Sequence, residues 1–373
     1  MATAIDMHNI VSTSTIENIV EKFANSISNA PNSLPAIMLR GAPGVGKSTI
    51  VKSVAEKLGI GFVDVRLAEM ERVDVAGLPS VEKGVTKWNV PAIWPQDKNS
   101  RGIILLDEIT SAPADVQVAA YQLVLDREIS NSNYKLPNGW LIVAAGNRAQ
   151  DRAVVKSMSS ALANRFVHFE VEANSEDWGN WAVQHNMHPS VTGFINYRPT
   201  NLFKMDNQNL EQGWPSPRSW ERVSNIMALF DNDEETLRKA VYGLVGNAVG
   251  VEFMEFHKIN KKFTNVLDYL TNPKAKIEIP ERSDEKYAMA SAVSYLLWNG
   301  STAEDDKTRI EGMYRVCMKF SADFATMIVK AAMLGNNRVS RLQAVQYITK
   351  SPSYKAFAEK FGKAFNKSYS LAV

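Results

Sequence analysis

One glycine-rich segment, residues 39–49, constrains this chain more than any other part of its sequence. It reads Leu-Arg-Gly-Ala-Pro-Gly-Val-Gly-Lys-Ser-Thr and fits the phosphate-binding pattern G-x-x-x-x-G-K-[ST]. Glycines let the backbone turn its N–H groups inward around phosphates, and the lysine and hydroxyl suit the terminal phosphates and Mg²⁺. We predict a site for a nucleoside triphosphate and Mg²⁺, in which the contacting residues are Gly41, Ala42, Pro43, Gly44, Val45, Gly46, Lys47, Ser48 and Thr49.

The residues on both sides of this loop fit a buried strand followed by a helix. Four apolar residues, Ala36 to Leu39, come before the loop, and apolar side chains at helical spacing follow between Thr49 and Leu58. A helix that begins at such a loop points its backbone N–H groups at a bound phosphate. The context therefore favours phosphate binding over an ordinary glycine-rich turn.

A second motif combines a buried strand with two carboxylates. Residues 103–110 read Ile-Ile-Leu-Leu-Asp-Glu-Ile-Thr, and a continuous apolar run is typical of a strand buried in a parallel sheet. Ligands bind at the carboxyl ends of such strands. We expect Asp107 to hold the Mg²⁺ that Ser48 also contacts, and Glu108 to orient and deprotonate an attacking water. The alternative is a solvated acidic pair after a core strand.

A third strand ends in an amide. The run from Trp140 to Gly146 is apolar and is followed by Asn147. An amide both donates and accepts hydrogen bonds without adding charge, which suits a residue that positions a hydrolytic water beside the terminal phosphate. The alternative is that Asn147 only forms a turn.

The order of these elements predicts an α/β fold. Strands at residues 36–40, 62–67, 103–107, 140–147 and 166–171 alternate with helices, which indicates a five-stranded parallel sheet with helices on both faces. Two inserts, at about residues 77–97 and 127–138, carry short strand-like runs on either side of a turn and are predicted to form hairpins. After residue 173 the pattern is helical to the end of the chain.

Composition sets broader limits. The chain has 373 residues, 45% of them apolar, which is enough for two or three domains. No apolar run approaches the roughly 18 residues that cross a bilayer, and residues 1–10 do not resemble a signal peptide, so we expect a cytoplasmic protein without a membrane partner. The net charge of +2 and the absence of a dense Lys/Arg run weigh against a large nucleic-acid footprint.

Taken in chain order, these motifs resemble the AAA+ ATPases. Residues 41–48, 107–108, 147 and 164–166 resemble the Walker A, Walker B, sensor 1 and arginine-finger elements of that family. The two inserts, and residues 215–222 with Arg218, are similar to the hairpins and the sensor 2 motif of its MoxR and dynein-related branch. The resemblance covers about residues 20–260.

The resemblance implies a division of the chain and a role for several arginines. Residues 1–172 would form the AAA+ nucleotide-binding domain, residues 173–262 a helical lid, and residues 263–373 a C-terminal helical domain. In AAA+ rings a neighbouring subunit supplies an arginine to each ATP. Arg165 is expected in that trans role, with Arg148 and Arg152 as alternatives, and Arg218 is expected to act in cis from the lid.

The resemblance also implies a function. A MoxR-like AAA+ ATPase would bind ATP and Mg²⁺, assemble into a ring, expected to be a hexamer, and use hydrolysis to remodel or activate a protein, such as a partner with a von Willebrand factor A domain. The alternative is a nucleic-acid motor or loader built on the same core. A small-molecule kinase fits less well, because phosphoryl transfer to a metabolite needs no dedicated base for water.

Overall fold

Parallel strand pairing organises the first part of the chain in a computed structural model of the protein. The model describes residues 9–129, 132–148, 151, 158–205, 212–230 and 232–370. The chain divides into two compact units, Met1–Ala173 and Asn174–Val373. The boundary between the units falls where the strand pattern in the sequence ends. A further division near residue 262 remains a prediction.

The described residues of the first unit contain eight strands. They are β1 (Ile10–Val11), β2 (Ala36–Arg40), β3 (Gly61–Arg66), β4 (Leu78–Glu82), β5 (Val85–Asn89), β6 (Arg101–Asp107), β7 (Gly139–Gly146) and β8 (Phe166–Val171). Six of them form a parallel sheet in the order β1-β8-β2-β7-β6-β3. The five predicted strands are confirmed. The sixth, β1, was not predicted because two residues are too short to show a strand period.

Five α-helices accompany the sheet in the part of this unit that the structure describes. They are α1 (Thr13–Ser26), α2 (Lys47–Leu58), α3 (Arg72–Ala76), α4 (Ala114–Asp126) and α5 (Ser160–Ala163). Side chains alternate between the two faces of each strand. Met38 and Ile104 are buried in the core between the sheet and α4. Their neighbours Ile37 and Ile103 point to the opposite face of the sheet and are also fully buried. Both faces are thus covered, as the continuous apolar strands predict.

The packing of Trp140 against two glycines leaves no room for a side chain at Gly102 in this sheet. Trp140 lies over Gly61 and Gly102, and a Cβ at Gly102 would come within 2.5 Å of the Trp140 ring and of the Gly61 carbonyl. We expect Gly102→Ala to lower the free energy of unfolding by about 2 kcal/mol through overpacking, measured by urea denaturation. Gly243→Ala is the control, because Gly243 has open space around its Cβ position; an equal loss in both variants would contradict this account.

The first insert is the predicted hairpin. Strands β4 and β5 pair antiparallel, and Lys83 and Gly84 between them have φ angles of 51° and 79°. Two consecutive residues with positive φ are typical of the tight turn that matches strand twist, and glycine favours it. The base of the insert is held where the Trp94 indole N–H donates to the Val75 carbonyl at 3.0 Å.

The second insert is less regular than the predicted hairpin. Its described residues form a single antiparallel bridge, between Glu128 and Lys135. Arg127 has a left-handed φ of 59°, and its buried guanidinium donates to the carbonyls of Pro137 and Trp140 at 2.9 and 2.7 Å. Two backbone hydrogen bonds cross the insert, from the Leu136 N–H to the Arg127 carbonyl at 2.7 Å and from the Ile129 N–H to the Tyr134 carbonyl at 3.4 Å, and the side chain of Arg127 adds to them. Part of the predicted tip, residues 130 and 131, lies outside the described residues.

The second unit is helical in the part that the structure describes. Its α-helices are α6 (Ser175–Gln184), α7 (Pro189–Tyr197), α8 (Pro217–Met227), α9 (Glu234–Val245), α10 (Asn247–Asn260), α11 (Val266–Thr271), α12 (Ser283–Leu297), α13 (Ala303–Cys317), α14 (Ala322–Leu334), α15 (Arg341–Lys350) and α16 (Tyr354–Ser370). Helix α12 packs against α7 and α10 of the predicted lid and also against α13 and α14. The helices before and after residue 262 therefore share one packed body. No helix among the described residues is long and apolar enough to cross a membrane.

Candidate nucleotide site at the carboxyl edge of the sheet

Three neighbouring strands bring the predicted motifs to one edge of the sheet. Strand β7 pairs with β2 on one side and with β6 on the other, and all three run parallel. Because their carboxyl ends meet at one edge, the phosphate-binding loop after Arg40, the carboxylates that begin at Asp107 and the amide of Asn147 lie side by side. This is the edge where open parallel sheets bind ligands.

The loop backbone has the shape that phosphate binding requires. Gly44 and Gly46 have φ angles of 83° and 98°, which L side chains rarely adopt. A Cβ on Gly41 would lie 2.5 Å from the Val171 carbonyl, so this position also needs glycine. Helix α2 begins directly after the loop, and its first-turn N–H groups have no partners within the helix. Thr49 is exposed on that first turn.

Lys47 is the charge at the centre of the site. It is 8% exposed, and its Nζ donates to the carbonyls of Gly41 and Ala42 at 2.8 and 3.0 Å. It also lies 3.4 Å from Asn147 Oδ1. Phosphate oxygens are stronger acceptors than these carbonyls, so the ammonium group can exchange them for a phosphate within the same loop. The predicted lysine and amide are thus brought together.

Ser48 and Asp107 offer oxygen atoms to a cation. The Ser48 hydroxyl donates to Asp107 Oδ2, and a hydroxyl next to a carboxylate suits the oxygen preference of Mg²⁺. Asp64 on β3 lies close enough to interact electrostatically with Asp107. Desolvation, and then the charge of Asp107, raise the pKa of the Asp64 carboxyl. Ser48 and Asp107 thus fit the predicted metal.

Glu108 adopts an unusual backbone conformation. Its φ of 56° lies in the left-handed region, which costs a non-glycine residue about 1–2 kcal/mol. Hydrogen bonds maintain it: the Glu108 N–H donates to Asp107 Oδ1 at 2.8 Å, and its carbonyl accepts from Ser111 and Ala112. The kink leaves the Glu108 side chain exposed at the edge of the sheet. Strain that is held in this way is common at functional sites.

Thr110 links the carboxylate strand to Asn147. It is 4% exposed, and its Oγ1 accepts a hydrogen bond from the Asn147 N–H at 3.2 Å. A Cβ on Gly146 would come within 2.6 Å of that hydroxyl, so the two segments are closely packed. The Ile109 N–H also donates to the Ala145 carbonyl at 3.1 Å. Glu108 and Asn147 are therefore held in a fixed relation by the residues that follow Glu108.

Replacing the Thr110 hydroxyl should loosen that relation. We expect Thr110→Val, which preserves shape, to lower kcat about three- to tenfold, because one hydrogen bond is worth roughly 0.5–1.5 kcal/mol. The KM for ATP should stay unchanged, and Thr110→Ser should restore turnover. Steady-state phosphate release measures both quantities. Full turnover in Thr110→Val would remove Thr110 from this role.

Arg148, one of the alternatives for the trans arginine, is bound within its own chain. Its guanidinium donates to both oxygens of Asp151 and to Glu170 at 2.8 Å, and Glu172 lies 3.7 Å away. Burial lowers the pKa of Arg148, but the hydrogen bonds with Asp151 and Glu170 outweigh it and raise that pKa above its usual range. This network ties the chain after Asn147 to the end of β8. Arg152 lies outside the described residues.

Arg165 lies at the opposite edge of the sheet. It directly precedes β8, whose residue Phe166 pairs with Ala36 and whose Glu170 pairs with Arg40 next to the phosphate-binding loop. Five residues of strand separate the two edges by about 16 Å. The Arg165 side chain is exposed, and among the described residues it has no hydrogen bond or ion pair. Arg165 is therefore not brought to the loop of its own chain.

Arg218 belongs to the second unit. It is exposed in the first turn of α8, whose N-cap is Ser216; the Ser216 hydroxyl accepts a hydrogen bond from the Ser219 N–H at 3.1 Å. The predicted sensor 2 residue thus sits at the start of a helix. Its action on a nucleotide stays a prediction.

Sequence comparison identifies the first unit. Residues 36–166 match the model of the AAA domain (dynein-related subfamily). The Lon protease of Metamycoplasma arthritidis is 33% identical over 129 residues, which cover 31% of this chain and 14% of that protease. The Lon protease of Rickettsia felis is 28% identical over 167 residues, which cover 41% of this chain and 21% of that protease. The chain thus spans about a fifth or less of the length of these relatives.

Solved structures show more remote similarity. A mutant of RuvB from Thermotoga maritima is 16% identical with a TM-score of 0.40, and the alignment covers 76% of this chain and 83% of that one. NtrX from Brucella abortus is 14% identical with a TM-score of 0.34 over 59% of this chain and 55% of that one. The match to the AAA domain model is firmer evidence than these structural similarities, and it spans the phosphate-binding loop, the two carboxylates and Asn147. Residues 36–166 therefore carry the similarity to an AAA domain of the dynein-related subfamily.

Proposed function

We propose that the chain binds ATP with Mg²⁺, hydrolyses it between neighbouring copies in a ring, and uses the hydrolysis to remodel or activate a protein partner. In this proposal Lys47 holds the terminal phosphates, and Ser48 and Asp107 hold the metal ion, which neutralises charge on the phosphate oxygens when bound. Glu108 removes a proton from the attacking water. Asn147, whose amide oxygen lies beside the Lys47 ammonium group, orients that water.

The position of Arg165 carries the ring proposal. An exposed guanidinium at the edge opposite its own phosphate-binding loop is available to another molecule. Charge that develops on the transferring phosphoryl group is strongly stabilised by an arginine supplied in trans. Arg148, by contrast, is held by Asp151 and Glu170 of its own chain. We therefore favour Arg165 for the trans role, and Arg218 for a role in cis from the lid.

The first insert supports a protein partner. Its hairpin exposes three apolar side chains, which are Leu78 at 59%, Val81 at 75% and Val85 at 68%. Exposed apolar side chains on a projecting element are typical of protein contact surfaces. Lys87 pairs with Glu82 across the hairpin, and Trp88 is half-buried, so the apolar side chains are better candidates for contact than either of these. A partner with a von Willebrand factor A domain would be one such protein.

Assembly and partner binding can be tested with a variant that binds ATP without hydrolysing it. In ATP, the Glu108→Gln chain should form a species with six times the 41.5 kDa mass of one chain, measured by light scattering. It should retain a partner protein that the Lys47→Ala chain does not retain and that the wild-type chain releases during hydrolysis. A single-chain mass in ATP at all concentrations would overturn the ring.

The alternative function is a nucleic-acid motor or loader. The second insert offers it little support, because Lys135 is paired with Glu128 at 2.7 Å. ATPase rates with and without DNA at low salt distinguish the two functions. Stimulation by DNA at least as large as that by a protein partner would favour the motor.

A further inference from the structure

The charge of the chain is distributed unevenly. Residues 319–373 contain nine Lys or Arg and only two Asp or Glu, which gives a net charge of +7. The remaining residues contain 33 Lys or Arg and 38 Asp or Glu, a net charge of −5. The net charge of +2 for the whole chain therefore hides a basic segment that forms α14, α15 and α16. A basic surface can attract polyanions even when the whole protein is nearly neutral.

Helix α16 separates its apolar and basic residues onto opposite sides. Phe357, Phe361 and Phe365 are 1%, 5% and 7% exposed and belong to the core of the second unit. The exposed residues of this helix up to position 367 are Lys355, Ala356, Glu359, Lys360, Lys363, Asn366 and Lys367. Four lysines and one glutamate thus share the solvent side of the helix. The first and last of these lysines are twelve positions apart along the helix, a distance of about 18 Å.

Two further lysines adjoin this side. Lys360 Nζ donates to the Met318 carbonyl at 2.8 Å, which brings the exposed Lys319 next to α16. Lys350 is exposed in the last turn of α15, four residues before α16 begins. We call this set the α16 lysine surface; it consists of Lys319, Lys350, Lys355, Lys360, Lys363 and Lys367.

Most lysines of this surface lack the carboxylate partners that lysines have elsewhere. Lys239, Lys276 and Lys307 each pair with a nearby glutamate at 2.6–3.0 Å. Among the described residues, no carboxylate forms an ion pair with five members of the surface, which are Lys319, Lys350, Lys355, Lys360 and Lys363. Their charge is therefore available to an anionic partner.

The chemistry of the surface distinguishes between classes of polyanion. A membrane-binding helix would insert its apolar side into lipid, but the three phenylalanines of α16 are already buried in the protein. Protein interfaces are enriched in aromatic residues and arginine and depleted in lysine, the reverse of this surface. Single-strand sites add aromatic side chains on which bases stack, and the exposed residues of α16 up to position 367 include none. Exposed lysines alone suit the phosphate backbone of a duplex.

We propose that the α16 lysine surface binds the phosphate backbone of duplex nucleic acid without reading its sequence. The lysines contact phosphates through charge, and such contacts carry no sequence information. All residues of this surface belong to the second unit, whereas the phosphate-binding loop belongs to the first.

The test measures affinity and its salt dependence. A labelled DNA duplex of about two helical turns is titrated with the full chain between about 50 and 200 mM salt, by fluorescence anisotropy. The test variant is Lys355→Gln with Lys363→Gln and Lys367→Gln, all at exposed positions. The matched control is Lys239→Gln with Lys276→Gln and Lys307→Gln, which removes the same charge from other exposed positions of the same unit.

The proposal predicts a weakening of binding that is specific to the test variant. Its affinity at low salt should fall about tenfold or more, and the slope of log K against log salt should become shallower by about 2–3, close to 0.9 for each phosphate that is no longer neutralised. The control, and a Lys47→Ala chain, should bind like the wild type. Four results would overturn the proposal. The first two are binding that does not depend on salt and an equal weakening of binding in the control. The other two are weaker binding by the Lys47→Ala chain and stronger competition by polyglutamate than by unlabelled duplex.

Discussion

Glu108→Gln is expected to bind ATP normally and to lose nearly all hydrolysis. The substitution keeps the size of the side chain and removes its ability to accept a proton, and a general base contributes about 10²–10⁴-fold to a rate. The hydrogen bonds that fix the left-handed backbone of Glu108 involve main-chain atoms and Asp107, so they survive the change. Binding is measured with a fluorescent nucleotide and turnover by phosphate release.

A matched substitution separates this effect from a general loss of charge. Glu235→Gln alters an exposed residue of the second unit that forms an ion pair with Lys239, and this variant should turn over at the wild-type rate. If Glu108→Gln also hydrolyses ATP like the wild type, Glu108 is not the base. If it fails to bind ATP, its main contribution is to the shape of the site.

Arg165→Ala is expected to reduce hydrolysis about 10³-fold or more while ATP binding remains, because an arginine supplied in trans has an effect of this size. The side chain is exposed and, among the described residues, forms no hydrogen bond or ion pair, so stability should change little. Arg72→Ala, at an exposed position on α3, is the control and should keep its activity. Unchanged turnover in Arg165→Ala would leave the trans arginine unassigned.

The sheet, and the placement of the candidate site residues at its carboxyl edge, could be predicted because their signals are local. Each central strand is a continuous apolar run, and the candidate residues lie at the strand ends: Asp107 is the last residue of β6, and Asn147 directly follows β7. Parallel pairing then places the strand ends together without further information. The predicted turn at Lys83 and Gly84 was equally local, because that dipeptide permits two positive φ angles.

What the sequence did not reveal depends on contacts between distant segments. Thr110 has no motif of its own, and its hydrogen bond to Asn147 follows only from the pairing of β6 with β7. Arg148 is fixed within its own chain partly by a hydrogen bond to Glu170, a residue of β8. The second insert was expected to be a hairpin, and its antiparallel pairing is short; the hydrogen bonds from the Arg127 side chain to the carbonyls of Pro137 and Trp140 could not be predicted from any periodicity in the sequence.

The basic segment at the end of the chain was missed for another reason. Its lysines are spread over three helices, so no dense run appears in the sequence, and the net charge of +2 averages them with an acidic remainder. Only the burial of Phe357, Phe361 and Phe365 shows that the lysines of α16 share one exposed side.

The central claim is that each active site is completed by a neighbouring copy of the chain, and mixing two inactive variants tests it most directly. Lys47→Ala destroys the phosphate site of its own chain but leaves Arg165 intact, whereas Arg165→Ala does the reverse. In rings shown to contain both variants, about a quarter of the interfaces of a random equimolar mixture pair an intact site with an intact arginine. We predict that ATPase activity returns in proportion to these interfaces. Mixed rings that remain as inactive as each variant alone would contradict the account.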